Sequence, residues 1–115
     1  MRFNERVYEL VRQIPAGKVL SYSRVAYYLG TGRGARAVGT AMSNCPADPD
    51  FPWWRVITEK RRPSSSMPDG WQEQQRILLE AEGVPFDSSG LVLTSAFWTP
   101  SQSEIHDNNE VLIDL

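Results

Sequence analysis

The chain has 115 residues, of which 41% are hydrophobic and 23% charged, as expected for one soluble globular domain. No apolar run approaches the roughly 20 residues of a membrane span, and residues 1–6 lack the apolar core of a signal peptide. We therefore expect a cytoplasmic protein without membrane contact, associated with the nucleoid if the source is prokaryotic. A single cysteine, Cys45, excludes an internal disulfide, and one cysteine with one histidine does not make a zinc site, so we expect neither metal nor cofactor.

Helical periodicity predicts three helices near the N-terminus. Apolar residues recur at helical spacing over residues 3–13, and a Pro-Ala-Gly sequence ends this helix. A short extended link follows, and Ser21 is placed to cap a second helix over residues 22–29. After a glycine turn, a third helix is predicted over residues 34–43.

The third helix has an apolar, a small and a polar face. The apolar stripe should pack on the other helices, and the small face would allow close approach to a partner. The members are Ala35, Val38 and Met42 on the apolar stripe, Gly34, Ala37 and Ala41 on the small face, and Arg36, Thr40 and Ser43 on the polar face. Two short helices joined by a tight turn indicate a helix-turn-helix, although this pattern also fits an ordinary helical hairpin.

The second half of the chain predicts less regular structure. Residues 52–58 should include a short strand or turn, and residues 59–70 form a polar loop that we expect to be mobile. A fourth helix is predicted over residues 70–81, with a core face of Trp71, Ile77, Leu78 and Ala81. Alternation of Leu91, Leu93, Ser95 and Phe97 predicts a strand.

Taken together, these elements predict a mainly α domain with a small β element, which fits the helix-turn-helix or winged-helix-like DNA-binding class as well as an ordinary helical bundle. The domain spans residues 1–100. Residues 101–115 are acidic and contain no lysine or arginine, so we expect a disordered or partner-bound tail.

Charge is distributed unevenly along the chain. The formal net charge is −2, yet residues 1–62 carry 11 of the 12 basic residues and only 5 of the 14 acidic residues. The basic half is an electrostatic feature typical of nucleic-acid binding, although charge alone does not decide for it.

Three segments resemble the DNA-binding domain of O6-alkylguanine-DNA alkyltransferases. They are IPAGKVLSY at residues 14–22, GARAVGTAM at 34–42 and PWWRV at 52–56. The resemblance covers about residues 3–100. It implies a helix-turn-helix that enters the minor groove and an alkylated guanine that is flipped out of the duplex.

The third segment departs from the family's Pro-Cys-His-Arg-Val motif. Trp53 stands in place of the cysteine and Trp54 in place of the histidine. Indole is neither a thiolate nor a base, so alkyl transfer should be absent. The chain is more similar to alkyltransferase-like proteins, which carry tryptophan for cysteine, bind O6-alkylguanine without repairing it and direct it to nucleotide excision repair. Glu82, which matches the family's glutamate, is expected to be structural.

The resemblance assigns roles to individual residues. Arg36 would enter the base stack, Tyr22 would crowd the phosphate beside the flipped nucleotide, and Trp53 would wall the base pocket. Asn44 would tie the helix end to the pocket segment, which we define as residues 52–57. Arg55 would brace that segment, and the backbone of Val56 and Ile57 would read the guanine edge. The DNA-binding residues are Ser21, Tyr22, Gly34, Ala35, Arg36, Ala37, Gly39, Thr40 and Ala41; the pocket residues are Tyr22, Pro52, Trp53, Trp54, Arg55, Val56 and Ile57; possible loop contacts are Arg61 and Arg62.

The expected partners are duplex DNA containing O6-alkylguanine and a nucleotide excision repair protein, with the chain itself a monomer. Two alternatives stay open on the sequence. One is a helix-turn-helix transcriptional regulator without lesion specificity. The other is an enzyme, either an alkyltransferase that uses Cys45 or a hydrolase, although no neighbour in the sequence activates that thiol.

Overall fold

The computed structural model describes residues 2–101, and the predicted tail with its proposed partner contact falls beyond them. The described residues contain four α-helices, two short strands and two 3-10 turns. The helices are α1 (Phe3–Gln13), α2 (Tyr22–Leu29), α3 (Ala35–Ser43) and α4 (Trp71–Ala81); the strands are β1 (Leu20–Ser21) and β2 (Val56–Ile57); the 3-10 turns are Trp53–Arg55 and Thr94–Ala96. Over this range no helix has both the length and the apolarity that crossing a membrane requires.

The predicted bounds of α1 and α2 are confirmed, and α3 begins one residue later than expected because Gly34 is its N-cap. Ser21 caps α2 as predicted, since its Oγ accepts a hydrogen bond of 3.1 Å from the Arg24 amide. Gly30 ends α2 in the left-handed conformation, with φ of 66°, which glycine adopts without steric cost. The chain then turns into α3, so α2 and α3 form the predicted helix-turn-helix.

Two hydrophobic cores support the fold. The three-helix core joins α1, α2 and α3 and contains the fully buried Phe51 at the end of the loop after α3. The α4 core joins α4 to the C-terminal segment. The three-helix core consists of Val7, Leu10, Val11, Ile14, Leu20, Val25, Ala26, Leu29, Val38, Ala41, Phe51 and Val56; the α4 core consists of Val19, Ile57, Leu79, Val84, Val92, Ala96 and Phe97.

The strands join these two cores. β1 and β2 pair in parallel, with Leu20 opposite Val56 and Ser21 opposite Ile57. Leu20 and Val56 belong to the three-helix core, whereas Ile57 belongs to the α4 core. The start of α2 and the 3-10 turn at Trp53–Arg55 are therefore held side by side.

The predicted core face of α4 is wrong. Trp71 and Ile77 are 50% and 52% exposed, whereas Gln75 and Leu79 are buried. Leu78 is half-buried and Ala81 exposed, so neither is a core residue. The reason is a polar contact, because the Gln75 amide donates to the carbonyls of Trp54 (3.0 Å) and Val56 (2.8 Å).

The predicted strand over residues 91–97 is also wrong. Val92 and Ala96 are buried four residues apart, whereas Leu93 is 36% exposed. The segment makes isolated bridges at Val92 and Phe97 and passes through a 3-10 turn between them. The buried residues Val92 and Phe97 lie on either side of the 3-10 turn. Sequence periodicity alone does not distinguish this arrangement from the alternation of a strand.

Candidate nucleic-acid interface

A cleft of about 1220 Å³ opens between α3, the loop that follows it and the N-terminal end of α4. The cleft is lined by Tyr22, Arg36 and Trp53, three residues to which the sequence analysis assigns specific roles. Ala35, Gly39 and Thr40 of α3 line the same cleft. The structure therefore brings the base-pocket segment and the exposed side of the second helix of the helix-turn-helix to one site.

Arg36 lies on the exposed side of α3 at the edge of the cleft. Within residues 2–101 its guanidinium makes no hydrogen bond and no ion pair. Thr40, one helical turn later, returns its hydroxyl to the Arg36 carbonyl at 3.2 Å. The backbone of Arg36 is held in the helix, and its guanidinium is available to donate hydrogen bonds at the cleft. A guanidinium is well suited to contact phosphate or a base.

Tyr22 is half-buried at the start of α2 and contributes its ring to the cleft wall. Burial raises the pKa of the Tyr22 phenol above its ordinary value of 10.0, so the hydroxyl is neutral at physiological pH. A neutral phenol can donate a hydrogen bond to a phosphate oxygen without charge repulsion.

Glu59 places a carboxylate beside this helix start. Its Oε1 accepts hydrogen bonds from the hydroxyls of Ser21 (2.5 Å) and Ser23 (3.0 Å), and Oε2 forms an ion pair with Arg24 at 3.2 Å. The hydrogen bond from Ser21 is the main reason that the pKa of Glu59 lies below its ordinary value. The sequence analysis missed this residue, because only the β1–β2 pairing brings it near α2.

The pocket segment presents an aromatic cluster. The Trp53 ring lies edge-on to Trp54, with centroids 6.0 Å apart, and to Trp71, with centroids 5.1 Å apart. Trp53 and Trp71 both line the cleft, whereas Trp54 packs against the α4 core. Trp71 was assigned to the core from sequence and is instead an exposed part of the cleft wall.

Trp54 and Arg55 hold Glu82 from two sides. The Trp54 indole N–H donates to Oε2 at 3.0 Å, and the Arg55 guanidinium forms an ion pair with the same carboxylate at 2.5 Å. The Gly17 amide donates to Oε1 at 3.3 Å, and Arg55 also donates to the Ile14 carbonyl at 2.8 Å. This Glu82 clamp fixes the pocket segment to the end of α1 and to the end of α4.

The clamp keeps Glu82 ionised. Burial raises the pKa of Glu82, but hydrogen bonds from Arg55, Trp54 and Gly17, together with the Arg55 charge, outweigh it and leave the pKa below 4.5. The structural role expected for Glu82 and the bracing role expected for Arg55 agree with these contacts.

Several predicted contact residues are buried. The side chains of Ser21 and Ala41 have no exposed surface, so in this conformation neither side chain reaches the surface to contact DNA. Val56 and Ile57 are equally buried in β2, and the Val56 carbonyl already accepts the Gln75 amide. The exposed small face of α3 is therefore narrower than predicted, because Ala41 is buried in the three-helix core.

The other predicted contact residues also differ in their exposure. Gly34 and Ala35 are exposed at the start of α3, Ala37 and Gly39 are half-buried, and Pro52, the first residue of the pocket segment, is buried. Asn44 bonds back to the Thr40 carbonyl at 3.1 Å rather than to the pocket segment.

The two loop arginines differ from each other. Arg61 has φ of 68°, a left-handed conformation that is uncommon outside glycine, and its guanidinium donates to the Val92 carbonyl at 3.0 Å and pairs with Asp87 at 3.7 Å. It is committed to the fold rather than to a ligand. Arg62 is exposed, and its contact with DNA stays a prediction.

Cys45 lines the cleft in a half-buried position. Burial raises the pKa of the Cys45 thiol above its ordinary value, although a backbone hydrogen bond lowers it slightly. A thiol with a raised pKa is a weaker nucleophile at neutral pH. Within residues 2–101, no three His, Cys, Asp or Glu side chains meet in a group that could hold a metal ion.

The chain was compared with known families and proteins. The family described as 6-O-methylguanine DNA methyltransferase, DNA binding domain, matches residues 2–84. The DNA base-flipping protein of Escherichia coli is 37% identical over 90 residues, covering 78% of this chain and 68% of that protein. Alkyltransferase-like protein 1 of Schizosaccharomyces pombe is 36% identical over 89 residues, covering 77% of this chain and 82% of that protein.

A solved structure resembles the whole fold. The crystal structure of S. pombe Atl1 in complex with damaged DNA containing O6-carboxymethylguanine matches with a TM-score of 0.74 and 36% sequence identity. The match covers 87% of this chain and 100% of that chain. It confirms the fold class expected from the sequence.

Proposed function

Because the chain belongs to the family of 6-O-methylguanine DNA methyltransferase DNA-binding domains, as an alkyltransferase-like member, we propose that it is a non-enzymatic sensor of O6-alkylguanine in duplex DNA. The observation that carries the proposal is the pair Trp53 and Trp54, which stands where the family motif has cysteine and histidine. Of this pair, Trp53 faces the cleft and Trp54 is held behind it by Glu82.

The chemistry of the cleft favours binding over transfer. A covalent acceptor must be a nucleophile activated by a neighbouring base, and an indole is neither. The thiol of Cys45 is the remaining nucleophile of that type at the cleft, and its burial raises its pKa. The Glu82 carboxylate is occupied by Arg55 and Trp54 and has no histidine to orient.

Recognition of the O6 position requires the guanine to leave the base stack. Flipping costs a few kcal/mol and is less costly for a weakly paired, alkylated base. We assign Arg36 to the space that the base vacates, Tyr22 to the phosphate beside it and Trp53 to the wall of the pocket. The common cleft supports these roles, because it places all three side chains on one surface.

A sensor that does not repair its lesion needs a second protein to act on it. We propose that the protein–DNA complex directs the lesion to nucleotide excision repair. A deformed duplex with a flipped base and a bound protein is the chemical signal that such a pathway would recognise.

The first test is competition binding to a short duplex with one O6-methylguanine and to the same duplex with guanine, at about 0.15 M salt to screen phosphate attraction. We expect a preference of about tenfold or more for the lesion, equivalent to about 1.4 kcal/mol. Arg36→Ala and Tyr22→Ala should remove most of that preference. Arg12→Ala is the matched control, because Arg12 pairs with Glu9 on α1 away from the cleft.

Three outcomes would contradict parts of the proposal. Equal affinity for both duplexes would reject lesion sensing, and enrichment of a defined motif from random duplexes would identify a sequence-specific regulator instead. A mass increase on Cys45, or loss of the lesion from the DNA after incubation, would reject the non-enzymatic assignment.

A further inference from the structure

Trp71 exposes a large apolar side chain to solvent at the start of α4. It is the first residue of α4 and its indole is 50% exposed, although burial of so large an apolar side chain would stabilise the fold. Its backbone amide is hydrogen-bonded to the Pro68 carbonyl at 3.1 Å, so the helix start is fixed in place.

The inward face of α4 explains how Trp71 reaches the cleft. Trp71, Gln75 and Leu79 follow each other at intervals of four residues and therefore lie along one side of the helix. Leu79 anchors this side in the α4 core, and Gln75 bonds to the carbonyls of Trp54 and Val56. Trp71, one turn before Gln75 on this side, therefore lies next to Trp53 of the pocket segment.

The result is a pair of indoles at the mouth of the cleft. The ring centroids of Trp53 and Trp71 are 5.1 Å apart and their planes are inclined by 64°. Met42, Met67 and Pro68 line the cleft beside them. Thioether and proline side chains add apolar contact surface without a charge, and methionine adapts to irregular shapes.

We propose that Trp71 is a specificity-determining residue that binds the O6 substituent itself, and that it favours large planar substituents such as benzyl over methyl. The two indole centroids are 5.1 Å apart, so an aromatic substituent placed against Trp53 is large enough to pack on Trp71 as well, whereas a methyl group is too small to cover both rings. Offset or edge-on packing between such rings is favourable beyond the area that it buries. This inference rests on the proposed sensing of O6-alkylguanine and adds the class of lesion.

The test compares three duplexes that carry guanine, O6-methylguanine or O6-benzylguanine at one position. Trp71→Leu removes the aromatic plane but keeps apolar bulk, and Trp71→Phe keeps an aromatic plane. We expect Trp71→Leu to weaken binding of the benzyl duplex by about tenfold and of the other two by no more than about twofold. Trp71→Phe should keep most of the benzyl affinity.

Ile77→Ala is the matched control, because Ile77 is exposed on the same helix to a similar extent but does not line the cleft. It should leave all three affinities unchanged, and thermal melting should show that the variants are folded. If Trp71→Leu lowers the three affinities equally, or leaves the ratio of benzyl to methyl affinity unchanged, the role of Trp71 is rejected. Failure of the sensing function is a separate result, since it would appear in the unsubstituted protein as equal binding of methylated and normal duplexes.

Discussion

Trp54 stands where the resemblance in sequence expects a histidine, and its side chain does not titrate. Its indole N–H is a donor only, whereas a histidine at this position would gain and lose a proton near neutral pH. The hydrogen bond of 3.0 Å to Glu82 keeps the carboxylate in place but cannot relay a proton to a neighbouring nucleophile. The Trp54 side chain therefore anchors the segment to Glu82 and is not itself an acid or a base.

Glu59 gives a prediction at the same scale. Its carboxylate pairs with Arg24 at the start of α2, the helix whose first residue, Tyr22, lines the cleft. We expect Glu59→Gln to tighten binding to a normal duplex by roughly threefold at about 0.05 M salt, because a repulsive charge is removed and Arg24 is released. Fluorescence-free readouts such as electrophoretic mobility or calorimetry are suitable.

Glu9→Gln is the control for this prediction, since it removes the same charge from an ion pair on α1. Its effect on DNA affinity should be smaller than that of Glu59→Gln. Equal effects would mean that only net charge matters, and weaker binding by Glu59→Gln would mean that the carboxylate mainly positions the start of α2.

The residues of the site were predictable to different degrees. Tyr22, Arg36 and Trp53 belong to contiguous segments whose pattern is specific, and the structure places them together. Glu59 and Trp71 have no such local pattern. Each is placed by a contact distant in the chain. The β1–β2 pairing brings Glu59 to the start of α2, and the hydrogen bonds of Gln75 on α4 to the pocket segment bring Trp71 to the cleft.

At the scale of elements, the first three helices follow from the sequence because their buried residues are almost all apolar and recur at helical spacing. Arg6, which is buried against the Leu29 carbonyl, is the exception. The predicted position of helix α4 is confirmed, but the predicted buried face is wrong. Its buried face includes Gln75, and hydrophobic periodicity cannot recognise a polar side chain that is buried to satisfy two backbone carbonyls.

The Glu82 clamp predicts pH-dependent stability. Its carboxylate joins α1, α4 and the pocket segment, and hydrogen bonds to a charged group contribute about 1.5–3 kcal/mol each. We expect Glu82→Gln to lower the free energy of unfolding by about that amount at pH 7. Chemical denaturation at several pH values measures it.

The direction follows from the lowered pKa. Because the pKa of Glu82 is lower in the folded than in the unfolded protein, its stabilisation is complete above the ordinary value of 4.5 and is lost as the pH falls through the folded value. The difference between the two proteins should therefore shrink below about pH 4.5. Glu80→Gln, which breaks an exposed ion pair with Arg76, should change stability by less than about 0.5 kcal/mol. A constant difference from pH 7 to pH 3 would show that the Glu82 charge is not responsible.

For the whole molecule, the distribution of charge matters more than its sum. Residues 102–115 contain four acidic residues and no lysine or arginine, so that segment by itself accounts for more negative charge than the net −2. These residues lie beyond the described fold, and their effect on a polyanion is long-range repulsion whatever their conformation.

We expect a full-length variant with Glu104 and Glu110 changed to Gln, and Asp107 and Asp114 changed to Asn, to bind a normal duplex several-fold more tightly at about 0.05 M salt. The gain should largely disappear at about 0.3 M salt, where the screening length is short. Titration at both salt concentrations measures it. A gain that is the same at both would indicate direct contact by the tail, and no gain at low salt would exclude electrostatic repulsion.

The tryptophan cluster has a practical consequence. Three of the four tryptophans of the chain are in edge-on contact through Trp53, which touches both Trp54 and Trp71. Trp53 and Trp71 line the cleft, and Trp54 lies behind them against the α4 core. The ultraviolet emission of the unlabelled protein therefore includes a contribution from two indoles at the site proposed to hold the base. A purine stacked on an indole quenches the fluorescence of that ring, so these tryptophans are an intrinsic probe of base binding. Stopped-flow recording of the emission can therefore measure how fast a flipped base binds, without a dye on the protein or the DNA.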